Sequence, residues 1–147
     1  MYYTCLGNNN YQVTLKLYRD CINGQAPFDY PVSIGVYTPA GVLVQAMTIP
    51  FPGAVLLPVT LNNPCFTPPS NVCVEEAVYT GTINLPPSPT GYVLAYQRCC
   101  RNTTILNLTN PLSVGFTITA TIPPSSLALC NSSPRFDSLP PLFLCAN

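Results

Sequence analysis

The sequence predicts an all-β fold, a β-sandwich of immunoglobulin-like or related type that is cross-linked by disulfides. Three observations carry that expectation. Apolar residues nowhere repeat at helical spacing over three turns, while several runs alternate apolar and polar with period two. Eighteen prolines and many β-branched residues punctuate those runs, which keeps them short and bounded by turns. Eight cysteines stand beside no histidine and form no Cys-x-x-Cys pair, a pattern that favours disulfides over a zinc site.

Taken in order, Met1 to Leu6 is a short aromatic strand, and Gly7-Asn8-Asn9-Asn10 is its turn. In YQVTLKLYRDC, Tyr11, Val13, Leu15 and Leu17 share one face and Gln12, Thr14, Lys16 and Asp20 the other, the period of a half-buried strand. Arg19 and Cys21 fall on the apolar face, so Cys21 is expected to point inward towards a bridge. After a loop at Asn23-Gly24 and Pro27, Val32, Ile34 and Val36 mark a second strand. The turn Pro39-Ala40-Gly41 joins it to Val42–Ile49 as a hairpin. Pro50 to Gly53 ends that run, and Ala54 to Leu61 reads as a further strand that Pro58 confines to an edge or a bulge. Val74 to Leu85 returns to a strand pattern, interrupted at Gly81, and Pro86-Pro87-Ser88-Pro89 is a stiff connector.

The connector leads to Gly91–Ile105, GYVLAYQRCCRNTTI, around which the chain is expected to be organised. Tyr92, Leu94 and Tyr96 lie opposite Val93, Ala95 and Gln97, and both faces are apolar enough to imply burial between two layers. Neighbouring side chains of an extended segment point apart, so Cys99 and Cys100 are expected to reach partners on two sides of one strand, drawn from Cys5, Cys21, Cys130 and Cys145. Cys65 and Cys73 enclose a Pro-rich loop and are expected to bond to each other. After Asn110-Pro111, Phe116, Ile118, Ala120 and Ile122 alternate with Thr117, Thr119 and Thr121 as a strand with one wet face. Pro124 to Leu129 reads as a single helical turn and Pro140 to Cys145 as a last strand, which brings the count to about eight to ten.

The composition narrows the function. A chain of 147 residues suits a single domain, here residues 1–147. Charged residues are 7% of it, five basic and five acidic, against roughly 25% in a typical soluble protein. So few scattered cations cannot neutralise a run of phosphates, and nucleic-acid binding is disfavoured. Apolar runs break well before about 18 residues, so membrane insertion is not expected. Eight cysteines in disulfides place the protein in an oxidising compartment. No signal peptide is visible at Met1, which implies a mature or excised part of a longer precursor.

Catalysis has little to work with. Without histidine the common triads and imidazole bases are missing, and adjacent Glu75 and Glu76 project to opposite sheet faces, so they form no glycosidase-type pair. A structural ion pair of Glu75 or Glu76 with Arg19 or Arg98 is the simpler expectation. Asp20 and Asp29 flank one loop as turn-stabilising residues rather than metal ligands, and no cofactor is expected. Arg98 and Arg101 around the cysteines invite an anion-site reading, against which stands the habit of strand-end arginines of bonding carbonyls or a neighbouring carboxylate. Nine tyrosines and no tryptophan could form a glycan-binding platform or simply fill sandwich edges. Candidate glycosylation sites are the sequons at Asn102, Asn107 and Asn131 and, within Asp137-Ser138-Leu139, Ser138.

YTCLGNNNYQVTLKLYRDC at 3–21, NPCFTPPSNVCVEEAVYTGTINLPP at 63–87, YVLAYQRCCRN at 92–102 and CNSSPRF with CAN within 130–147 together span nearly the whole chain. On these stretches it resembles the Cys-rich N-terminal β domain of large secreted surface proteins of the Bacteroidota, known as gliding motility-associated or PKD-repeat-containing proteins. The resemblance implies an extracellular, non-enzymatic module near the start of a long precursor, exported by the type IX route, and it carries over no catalytic residue. Family members place a leader and a preceding strand before the equivalent of Tyr2-Tyr3-Thr4-Cys5 and continue past the equivalent of Asn147. The sequence-based expectation is thus a structural protein that self-associates into a filament or adhesive surface layer, by strand addition through Tyr2 and Tyr3 or through Leu142 and Leu144. The alternative is an adhesin module that binds glycans.

Overall fold

Period-two burial marks most of the longer strands, and the sum of inward faces makes the core. The computed structural model describes residues 1–24, 26–58, 71–101, 103 and 105–136. Within them eight strands follow in chain order: β1 Tyr2–Gly7, β2 Asn10–Asp20, β3 Val32–Tyr37, β4 Leu43–Ile49, β5 Val55–Leu56, β6 Val74–Asn84, β7 Tyr92–Arg98 and β8 Phe116–Ile122. They form two antiparallel sheets, β1-β2-β6-β5 and β4-β3-β7-β8. This is the ABED and C′CFG strand arrangement of an immunoglobulin-like sandwich. Tyr92, at the start of β7, donates its hydroxyl to the Pro86 carbonyl at 2.9 Å, in the place and manner of the tyrosine corner of that fold.

The first hairpin shows how local chemistry sets register. Asn8 and Asn9 have φ of 50° and 63°, the left-handed pair that a two-residue turn of matching twist requires and that asparagine tolerates. From there β2 pairs with β6 along its whole length, Asn10↔Asn84 through Asp20↔Val74. Inward-facing Val13, Leu15, Ile34, Val36, Tyr79 and Leu94 are completely buried, each contributing about 1.5–3 kcal/mol on leaving water. β4 forms the expected hairpin with β3, and β5 is only two residues long at the edge beside β6.

Several expectations change. Gly81 does not interrupt β6: it pairs with Val13 inside an unbroken ladder. It faces the opposite sheet, where an added Cβ would come within 2.5 Å of Met47 Cε and 3.0 Å of Ile49 Cγ1. Its bare backbone lets the sheets approach. Gly81→Val is therefore expected to cost about 1–3 kcal/mol by overpacking, read as a lowered denaturation midpoint. Nor is β7 buried between two layers. Its outward Gln97 is exposed, and Ala95 is covered because its cross-strand partner Gly35 lies under the Tyr37 ring, 2.5 Å from where a Cβ would sit. Pro124–Leu129 does make the expected single turn, closed by Leu127 N–H and Ala128 N–H donating to Pro124 O at 2.9 and 3.3 Å, and a 3-10 turn that was not expected lies at Pro111–Ser113. Asn62–Ser70 and Pro140–Cys145 lie outside the described residues.

The disulfides also depart from expectation. Cys73 bonds Cys21, not Cys65. The β2–β6 register is the reason: it ends at Asp20↔Val74, which sets Cys21 and Cys73 side by side with Cα atoms 5.3 Å apart. The spacing of Cys65 and Cys73 within one loop carried no such information. The second bridge joins Cys5 to Cys130. Beyond Cys130 the chain crosses from the second sheet to the free edge of β1, where Ser133 N–H donates to Tyr3 O at 3.0 Å. The Ser133 hydroxyl accepts from Tyr3 N–H at 2.9 Å, and that of Ser132 from Cys5 N–H at 3.0 Å.

Candidate functional site

The alternation of β2 places Arg19 on the core face at the end of its strand, where the sandwich opens. Its cross-strand neighbour is Glu75, and Arg19 Nη1 lies 2.7 Å from Glu75 Oε1. Nη2 donates to Gly24 O at 3.0 Å. The expected structural ion pair is present. Asp20, one residue on, faces away and closes a turn: its carboxylate accepts from Ile22 N–H and Asn23 N–H at 2.9 Å each. The hydrogen bonds from Asn23 and Ile22 hold the Asp20 carboxyl below its usual range.

β7 ends at the same end of the sandwich. Its last residue, Arg98, donates through Nη2 to Pro27 O at 2.7 Å and sets Nε 3.5 Å from Asp29 Oδ1. Tyr96 donates its hydroxyl to Asp29 Oδ2 at 2.5 Å, and Tyr79, from the other sheet, donates to Asp29 O at 2.8 Å. Asp29 is thus not a simple turn residue. It fastens the loop before β3 to both sheets at once. Sequence spacing hides this hub, because its partners lie 50 and 67 residues away.

The two adjacent cysteines follow. β7 stops at Arg98, so Cys99 and Cys100 occupy a bend in which strand alternation no longer applies, and Cys100 has a left-handed φ of 77°. The two-sided staple is corrected accordingly. Cys5, Cys21 and Cys130 are bonded elsewhere, Cys145 lies outside the described residues, and Cys99 and Cys100 have no disulfide partner among the described residues. A hydrogen bond with Cys99, then burial, pushes the Cys100 thiol up. It is a weak nucleophile at neutral pH.

Arg101 completes the end. Its backbone N–H donates to Pro111 O at 3.0 Å, its guanidinium carbon lies 5.7 Å from the Phe116 ring centroid, and its Nε is buried without a hydrogen-bond partner. Arg19, Arg98 and Arg101 line one cleft of about 340 Å³ together with Leu17, Phe28 and Phe116. The strand-end reading of Arg98 accounts for its bonds, and the anion reading survives only at Arg101.

The other candidate residues scatter. Tyr3, Tyr11, Tyr79 and Tyr96 are core residues, which removes four of nine tyrosines from any surface platform; Tyr18 and Tyr30 are exposed. Asn107 is exposed, whereas Asn131 donates its side-chain amide to the Tyr3 hydroxyl at 3.1 Å. Asn102, Ser138, Leu142 and Leu144 lie outside the described residues. Tyr2 and Tyr3 are paired within the chain, opposite Thr14 and Val13.

The tyrosines offer a pH reading. Burial, then the 2.9 Å hydrogen bond to Glu76, pushes Tyr18 up to about 12; burial foremost also raises Tyr3, Tyr79 and Tyr96. A raised phenol pKa favours the folded state fully below the ordinary value of about 10 and loses that contribution as pH climbs through the folded value. Absorbance titration is therefore expected to show these four phenols ionising at higher pH in the native protein than in denaturant.

No protein-family model, no curated protein and no solved structure matches this chain.

Proposed function

We propose that the chain is a structural, non-enzymatic extracellular surface module that assembles head to tail into a filament or adhesive layer through the two open edges of its second sheet. The observation that carries this reading is the near absence of charge there. Arg98, at the very end of β7, is the one charged residue in the four strands β3, β4, β7 and β8. Natural sheets blunt an open edge with lysine, proline or a bulge. Here, among the described residues, β4 pairs on one side only; its pairing with β3 has one irregularity, where Val36↔Gln45 steps to Tyr37↔Leu43, and β4 with its approach exposes Val42, Leu43 and Val44 at 62%, 55% and 50%.

Geometry permits a polymer. β4 and β8 are opposite edges of one sheet, and each is seven residues long. Because every strand pairing is antiparallel, a translated copy would present its β4 antiparallel to β8 of the first. Such a heterologous contact does not close on itself. The edge of β1, by contrast, is occupied by Ser132 and Ser133, so assembly is assigned to the second sheet and not to Tyr2 and Tyr3. Disulfides fit an oxidising, extracellular setting, and the resemblance to secreted surface proteins points the same way.

Light scattering of purified protein is expected to show mass rising with concentration, and electron microscopy to show filaments. Val44→Lys combined with Ala46→Lys should hold the protein monomeric. A wild type that stays monomeric at high concentration would overturn the proposal. The adhesin alternative rests on Tyr30, which is 78% exposed and set edge-on to Phe51 at 6.3 Å; a selective response on a glycan array that Tyr30→Ala abolishes would favour it.

A further inference from the structure

We propose that the cleft at the arginine end of the sandwich binds a carboxylate carried on a short apolar group. The proposal stands independently of assembly. The cavity, about 340 Å³, is of the size that small-ligand sites occupy. Its walls are largely apolar: Leu17, Phe28, Ile105, Leu112 and Phe116 line it. Yet three of the chain's five basic residues open into the same space.

Two of the three already hold a carboxylate, since Arg19 lies 2.7 Å from Glu75 and Arg98 3.5 Å from Asp29. Arg101 differs. It makes no ion pair among the described residues, and its Nε, like that of Arg19, is buried with no acceptor. A buried N–H left unpaired costs about 1–3 kcal/mol, and a guanidinium can only donate. What the Arg101 guanidinium lacks among the described residues is therefore an anionic partner. Its planar fork matches a carboxylate in particular. Stacking at 5.7 Å on the Phe116 ring orients the guanidinium before any ligand arrives, and the apolar walls select a ligand whose remainder is apolar. Asp20 also lines the cleft, but its carboxylate is engaged by Ile22 and Asn23. The same chemistry is offered by a free short-chain organic acid and by the C-terminus of a peptide ending in an apolar residue.

Calorimetric titration of the full chain with hexanoate and with its neutral isostere hexanamide tests the site. A peptide ending in leucine, with a free or an amidated terminus, separates the two sources. The charged member of at least one pair is expected to bind saturably and about tenfold or more tighter than its neutral counterpart. Arg101→Met is expected to erase that preference, and Arg101→Lys to restore part of it. Saturable binding of hexanoate alone identifies a small acid, and binding of the free-terminus peptide identifies a chain end. Equal binding of charged and neutral members, no saturable binding by any of them, or a folded Arg101→Met protein that keeps the preference would overturn the proposal. The wild-type comparison of charged with neutral probes decides the matter even if the Arg101 variants do not fold.

Discussion

Replacing Cys5 and Cys130 together with serine is expected to lower the unfolding free energy by about 4–5 kcal/mol on the chain-entropy relation, because this bridge closes a loop of 125 residues. Against a usual total of about 5–15 kcal/mol, that is a large fraction. The loss has a local component as well. The bridge lies where the chain leaves the second sheet and lays Ser132 and Ser133 along β1, satisfying the Tyr3 and Cys5 amides. Without it those two serines are held to the edge by hydrogen bonds alone, each worth about 0.5–1.5 kcal/mol. Urea denaturation should show a lower midpoint, and hydrogen exchange should show the Tyr3 and Cys5 amides deprotected first. A change confined to the slope of the transition, with the unfolding free energy unaltered, would show that the bridge changes only the compactness of the unfolded chain.

The Cys21–Cys73 bridge makes a useful contrast. It closes 52 residues, for which the same relation gives about 4 kcal/mol, but it extends a ladder that already runs unbroken to Asp20↔Val74. Its removal should fray that end of β2 and β6 while leaving the edge of β1 protected. The two variants thus separate loop closure from edge protection.

What could be read from the sequence was whatever depends on neighbours along the chain. The alternation of Tyr11, Val13, Leu15 and Leu17 reports which face of β2 is buried, because successive side chains point apart. The same logic gave Phe116–Ile122 with its wet threonines, and the Asn8-Asn9 turn announces itself by residue type. What could not be read depends on register between distant segments. Cys73 has Cys65 as its near neighbour in sequence, yet β6 pairs with β2 and brings Cys21 beside it. Gly81 looks like a break because glycine weakens strands. It is instead a gap cut for Met47 of the other sheet. The cleft was illegible for the same reason: Arg19 and Arg98 converge because β2 and β7 end on one side of the sandwich, and Arg101 enters through a bend that ends the strand rule. Arg98 and Arg101 were visible as an arginine pair around cysteines, while the third arginine and the hub at Asp29 were not.

Tyr96→Ala is expected to cost about 3–5 kcal/mol, as truncation of a large buried aromatic generally does, and Tyr96→Phe about 1–2 kcal/mol. The pair divides one residue into its two roles. The ring is buried, 1% exposed, and meets Phe116 edge-on at 6.1 Å, so its loss opens a void between the sheets beside the wall of the cleft. The hydroxyl donates to Asp29 Oδ2, and the other carboxylate oxygen faces Arg98 Nε. Removing only the hydroxyl leaves Asp29 with Arg98 and with water, since its side chain is 28% exposed, which keeps the cost at the low end for a charged acceptor. Denaturation midpoints give both values. The functional consequence should follow the hydroxyl and not the ring alone, because Asp29 is what occupies Arg98: in Tyr96→Phe the loop before β3 retains one fastening fewer, and exchange of the amides around Asp29 should quicken while those of Leu94 and Ile34 stay protected. Equal protection at Asp29 in wild type and Tyr96→Phe would show that Tyr79 and Arg98 hold the loop without it.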